Sequence, residues 1–137
     1  MNWQRIKDFE KNSDSVFGKN LHNYYTFISW AKWHPDLLLD LMKPETGGLN
    51  LHLDQRVFLR CDVRFMSMYG TFSRGYGKTF DEVLAMVVVA MLFPNIELAL
   101  SAQTKENAAD LLKSKWNEIV KLYPLLKDEI REARFSK

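Results

Sequence analysis

Apolar residues at Trp3, Ile6 and Phe9 fall three apart and predict a short helix over residues 2–10, which Asn12-Ser13-Asp14 and Gly18 interrupt. From Leu21 to Trp33 the spacing is again helical, with Tyr24, Tyr25, Phe27, Ile28, Trp30 and Trp33 recurring at three and four. Pro35 suits the first turn of another helix, where its missing N–H costs nothing, and Asp36 to Met42 continues it. Lys43-Pro44-Glu45-Thr46-Gly47-Gly48 reads as a loop. Asp54 is expected to cap a helix that runs to Arg60, its carboxylate accepting free first-turn N–H groups.

The pattern changes at Val63. Val63 to Tyr69 has the length of a strand, and Gly70 to Gly77 is a small-residue loop holding three glycines. Lys78 to Phe93 is apolar almost all round, which for a helix means burial against a sheet and something else. Its Val87-Val88-Val89 favours a strand on propensity alone, but its length favours a helix stopped by Pro94. Ile96 to Ser101 is a second strand candidate. Thr104 caps a helix with Ala108, Leu111, Leu112, Trp116, Ile119 and Tyr123 on its apolar face, Pro124 closes it, and Leu125 to Phe135 starts another. Strand, glycine loop, helix, strand, helix predicts an α/β fold built on a parallel sheet with flanking helices. The expected division is a helical segment over residues 1–52 and an α/β domain over 53–137.

Composition narrows the class without changing the picture. The 137 residues, 47% hydrophobic and 26% charged, suit one globular unit and exclude collagen and a disordered tail. A net charge of +2 is no polyanion-binding signature by itself. The single cysteine, Cys61, excludes an intramolecular disulfide and a thiolate zinc cluster, so a reducing cytoplasm is expected. The longest apolar run, Val83 to Phe93, is eleven residues, about half what a bilayer requires. No signal peptide or membrane association is expected.

The chemistry concentrates in Ser73-Arg74-Gly75-Tyr76-Gly77-Lys78-Thr79. A strand running into a glycine loop that ends in Gly-Lys-Thr and opens a helix is how a P-loop is built. Its glycines let backbone N–H groups turn toward phosphate oxygens, its lysine reaches the β/γ-phosphates, and its threonine ligates magnesium. The strict pattern also asks for a glycine five positions before Gly77, where Phe72 stands. The loop therefore rests on its context, against the alternative of a structural turn.

The same residues resemble the variant Walker A loop of large terminase subunits, the ATPases that package DNA into phage heads. Trp30-Ala31-Lys32-Trp33-His34-Pro35-Asp36, Lys43 to Gly48, Leu53 to Arg60 and Ser101-Ala102-Gln103-Thr104 look like successive landmarks of that family's N-terminal region, so the resemblance spans roughly residues 24–130. It implies an incomplete P-loop NTPase binding ATP and Mg²⁺. Ser73, Arg74, Gly75, Tyr76, Gly77, Lys78 and Thr79 would surround the phosphates, with Thr79 on the metal and Gln55 reading adenine through its two-sided amide. Arg74 and Lys78 would carry the catalytic charge. It further implies double-stranded DNA, a portal protein and a small terminase subunit as partners, a ring of identical subunits, and a phage or prophage gene expressed in the bacterial cytoplasm.

The resemblance is incomplete. Such an ATPase needs an acidic pair at the end of a later apolar strand. Leu37-Leu38-Leu39-Asp40 lies on a helix before the loop and is followed by Leu41, while Lys127 interrupts the run ahead of Asp128-Glu129. The hydrolytic carboxylates and the nuclease domain are expected beyond Lys137, so hydrolysis by this chain alone is not expected. A fragment of another P-loop enzyme and a non-catalytic remnant serving assembly remain as alternatives. His22, His34 and His52 lack metal-ligand spacing, Cys61 reads as packing, the Tyr24–Trp33 aromatics as core or interface, and Lys113, Lys115 and Lys121 as a solvated face.

Overall fold

The computed structural model describes residues 3–13, 16–65, 67–93, 95–101 and 104–126. Within them the chain forms α1 (Trp3–Asn12), α2 (Val16–Lys19), α3 (Leu21–Trp33), α4 (Pro35–Leu41), α5 (Leu53–Arg64), α6 (Lys78–Leu92) and α7 (Lys105–Leu122). Helix α6 is the centre. Its Val83, Leu84, Ala85, Val87, Val88 and Leu92 are buried against Ala31 of α3, Leu38 and Leu39 of α4, Leu59 of α5, and Ile119 of α7. Tyr123 and Leu126 close the same cluster after α7, and Leu51 closes it before α5. One core thus draws on both sides of residue 52. Helix α1 packs on α2 and α3, with Ile6 as its buried residue.

The expected α/β architecture is not formed: all regular structure among the described residues is helical, with no strand and no sheet. The first strand candidate, Val63–Tyr69, fails because α5 runs on through Arg64. Val63 follows buried Leu59 by one helical turn, and the Arg64 guanidinium donates to the Trp33 carbonyl at 2.5 Å while lying over the Trp33 ring. The last turn of α5 is thereby fastened to α3, and a helix satisfies its backbone without a neighbouring strand. Phe65 then leaves the helix with φ −108° and ψ 142°, and Met66 lies outside the described residues.

The second candidate, Ile96–Ser101, runs straight without turn or bend but pairs with nothing described. Conversely, the β-branched Val87-Val88-Val89 stays helical because α6 places Val87 and Val88 in the core, where burial outweighs propensity. Thr104 caps α7 as expected, its hydroxyl accepting the Asn107 N–H at 3.2 Å. Pro94, Ala102 and Gln103, and residues 127–135 of the expected last helix, lie outside the described residues.

Helices α4 and α5 are joined by charge. Asp36 and Asp40 share one face of α4, and Arg56 and Arg60 share one face of α5, each pair four residues apart. Asp36 is 1% exposed and accepts from Arg60 at 2.7 and 2.9 Å and from Arg56 at 3.4 Å. Arg56 also forks onto Asp40 at 2.6 and 3.1 Å. Burial alone would raise the Asp36 carboxyl, but the Arg60 and Arg56 guanidinium groups hold it below the ordinary carboxylate value. Two landmarks of the sequence, around Asp36 and around Arg56, are therefore the halves of one clamp.

Candidate functional site

The glycine loop closes directly onto the first turn of α6. Gly75 and Gly77 have φ of 86° and 93°, the left-handed region that a side chain resists, and Gly77 is the N-cap of α6. Nothing lies within 4 Å of a Cβ built at either glycine, so conformation rather than space demands glycine there. The first hydrogen bonds of the helix run from Phe80 and Asp81 N–H to the Gly77 carbonyl, at 2.8 and 3.2 Å. The N–H groups of Lys78 and Thr79 precede them and have no place in the helical ladder. They carry the positive end of a fifteen-residue helix.

A cavity of about 330 Å³ lies against this turn, lined by Gly75 to Phe80 and by Lys115 from α7. Lys115 is held there by Glu118 at 2.7 Å, with its ammonium 5.9 Å from the centre of the Phe80 ring. Arg74 and Lys78 are exposed, and no hydrogen bond or ion pair to a described residue holds either. Thr79 is half-buried and Ser73 is exposed at the loop's start.

Phe72, standing where the strict motif has glycine, has a structural task. Its ring stacks on Tyr76, with centroids 4.9 Å apart at 22°, and meets Phe58 of α5 edge-on at 5.8 Å. This aromatic column anchors the loop to α5. The Tyr76 hydroxyl is buried without an acceptor at full hydrogen-bond geometry, facing the Asp54 carboxylate. That contact, ahead of burial, pushes the phenol up to about 12 and lowers Asp54. Asp54 is not the N-cap of α5, because the helix already begins at Leu53 with His52 as its cap.

Gln55 is brought to the same place in an unexpected role. Its Oε1 accepts the His52 N–H at 2.9 Å, closing the start of α5, and its Nε2 donates to Asp81 Oδ1 at 2.7 Å. Both ends of the amide are therefore engaged by the protein. Asp81 is 2% exposed, and its Oδ2 has no partner among the described residues. Burial raises its carboxyl first of all, the Gln55 hydrogen bond works against that, and the Asp54 charge adds to it.

The structure thus gathers Gly75, Tyr76, Gly77, Lys78 and Thr79 around one cavity and sets Gln55 behind the first turn of α6 through Asp81. Sequence reading missed Lys115, whose spacing with Lys113 and Lys121 suggests only a solvated face, and Asp81, whose signal is that it and Glu82 stand directly ahead of an unbroken apolar run. No group of three or more His, Cys, Asp or Glu residues is placed to hold a metal ion among the described residues. Within the same residues no helix is long and apolar enough to cross a membrane. No family model, curated protein or solved structure matches the chain.

Proposed function

We propose that this chain is the nucleotide-binding N-terminal portion of a terminase-like motor ATPase, with residues 73–79 receiving the phosphates of ATP. The observation that supports it is the pair of left-handed glycines delivering Lys78 and Thr79 to the open N-terminus of α6, above a cavity that also receives Lys115. Two cations and two unengaged N–H groups suit a polyphosphate. The ligand on this reading is the magnesium complex, with Thr79, which lines the cavity, as the hydroxyl available to the metal. Gly75, Gly77 and Lys78 hold phosphate, Arg74 stands free to approach it, and Gln55 reads adenine with the amide hydrogen and oxygen lone pair that its bonds to His52 and Asp81 leave over. On this reading the packaging of double-stranded DNA, with portal, small subunit and a ring of copies, belongs to the assembled motor in a bacterial cytoplasm, and this chain alone does not turn ATP over.

A second reading is a remnant loop that serves assembly, favoured by one observation: both ends of the Gln55 amide are already engaged, by His52 and by Asp81. Calorimetric titration of the chain with Mg-ATP, beside Lys78→Ala and with phosphate release followed in parallel, separates the two. Binding that weakens at least about tenfold on substitution, with release at background, supports nucleotide binding; losing a charged hydrogen bond is worth that much. Absence of binding by the wild-type chain, or binding indifferent to Lys78→Ala, refutes it.

A further inference from the structure

Lys115 reaches the cavity of the glycine loop from outside the loop. It stands on α7, yet it lines the same space of about 330 Å³ as Gly75 to Phe80. The helix beneath it is fixed, because Ile119 and, just past α7, Tyr123 are fully buried in the common core. The freedom that remains is that of a flexible four-carbon stem. The ammonium lies 5.9 Å from the centre of the Phe80 ring and is held along its own helix by the Glu118 carboxylate at 2.7 Å. That pair is three residues apart, with side chains 31% and 48% exposed, so water keeps it weak and readily exchanged. Lys113 and Lys121 of the same helix are exposed and line no part of the cavity.

In a glycine loop that opens a helix, backbone N–H groups take the inner phosphates and the loop lysine reaches toward the outer ones. The far end of a triphosphate then needs a cation that the loop itself does not supply. We propose that Lys115 holds the terminal phosphate of a bound nucleoside triphosphate, and that Glu118 is its built-in competitor. The carboxylate keeps the ammonium until a third phosphate takes it over. A terminal phosphate carries more charge than a carboxylate and offers three acceptor oxygens, so the exchange favours the phosphate. A diphosphate stops short and leaves the pair with Glu118 intact. The inference rests on the nucleotide reading of residues 73–79, and it gives that site a means of telling three phosphates from two.

Calorimetric titration of the full chain with Mg-ATP and with Mg-ADP tests it. Lys115→Met keeps the aliphatic stem and should weaken Mg-ATP about tenfold, the worth of a charged hydrogen bond, while moving Mg-ADP by less than about twofold. Glu118→Gln releases the ammonium and should tighten Mg-ATP about two- to fivefold, a gain that disappears in the double variant. Lys113→Met should move neither nucleotide. Equal losses for ATP and ADP in Lys115→Met, or no loss, overturn the proposal, and so does a Glu118→Gln chain that binds Mg-ATP no more tightly than wild type. If that happens while Lys78→Ala still weakens both nucleotides, the loop reading stands and only the part given to Lys115 falls. Absence of Mg-ATP binding by the wild-type chain takes both down. Should Lys115→Met change the far-UV circular dichroism, the comparison of Glu118→Gln with wild type decides alone.

Discussion

Replacing Asp36 by asparagine keeps the shape of a side chain that is 1% exposed but removes the charge held by Arg60 and Arg56. Unit charges about 4 Å apart attract by about 4 kcal/mol at an effective dielectric constant near 20. The Arg60 side chain is 37% exposed, so solvent screens its half of the pair and leaves about 2 kcal/mol. Arg56, at 3.4 Å, loses part of its attraction as well, which brings the expected cost of Asp36→Asn to about 3 kcal/mol. Arg60→Met keeps the aliphatic stem and leaves Asp36 with Arg56, so it should cost about 2 kcal/mol. The double variant should fall short of the sum by about 1–2 kcal/mol. Urea unfolding at pH 7, followed by circular dichroism with slopes compared between variants, measures all three. In temperature, the Asp36→Asn loss is about 10 °C. The folded carboxyl of Asp36 lies below its unfolded value near 3.8, so its contribution is complete above that value and fades as pH falls through the lower, folded one. The gap between wild type and Asp36→Asn should thus be flat near neutrality and close in acid. A coupling within about 0.5 kcal/mol of zero would refute the reasoning, because it would reduce the clamp to an ordinary surface ion pair.

Asp81 has the opposite sign: burial raises its folded carboxyl above 3.8, so what it contributes is present below that value and lost as pH rises through the raised one. Asp81→Asn, which still offers Gln55 an acceptor, should therefore gain on wild type as pH rises, reaching about 1 kcal/mol at pH 7 in urea midpoints; a net loss at pH 7 would contradict this. Tyr123 is fully buried and its hydroxyl has no partner among the described residues, so Tyr123→Phe should leave the melting temperature unchanged or raise it, worth up to about 1 kcal/mol. A fall of several degrees would show that the hydroxyl is satisfied after all.

The helices were legible because their signals are local. Trp30 to Trp33, Pro35, Thr104 and the apolar run before Pro94 each announce an element through spacing or a cap. The sheet was misread because β structure is a property of pairs. Val63–Tyr69 and Ile96–Ser101 have strand-like composition, yet composition supplies no neighbour, and α5 absorbed the start of the first. At the site, Gly75, Gly77 and Lys78 could be read because left-handed turns and helix starts leave marks in residue type. The role of Gln55 could not, since its two bonds depend on where α5 meets α6. The clamp had a faint signature, acidic residues at 36 and 40 and basic ones at 56 and 60, but nothing in the spacing said that the two helices face each other.

That clamp has a bearing on the connection it spans. Between α4 and α5 the chain passes through Lys43–Leu51, with Glu45, Thr46 and Gly47 exposed and Gly47 in the left-handed region at φ 83°. The helices on either side are already held by two forked ion pairs, and their Leu39 and Leu59 lie in the common core. Lengthening the chain at this tip costs mainly loop-closure entropy, a term that changes slowly with length. A segment inserted at Glu45–Thr46 would lengthen this loop while α4 and α5 stay paired through their ion pairs. The same tip is where new termini or an inserted module can be accommodated with the least disturbance to the turn that carries Lys78.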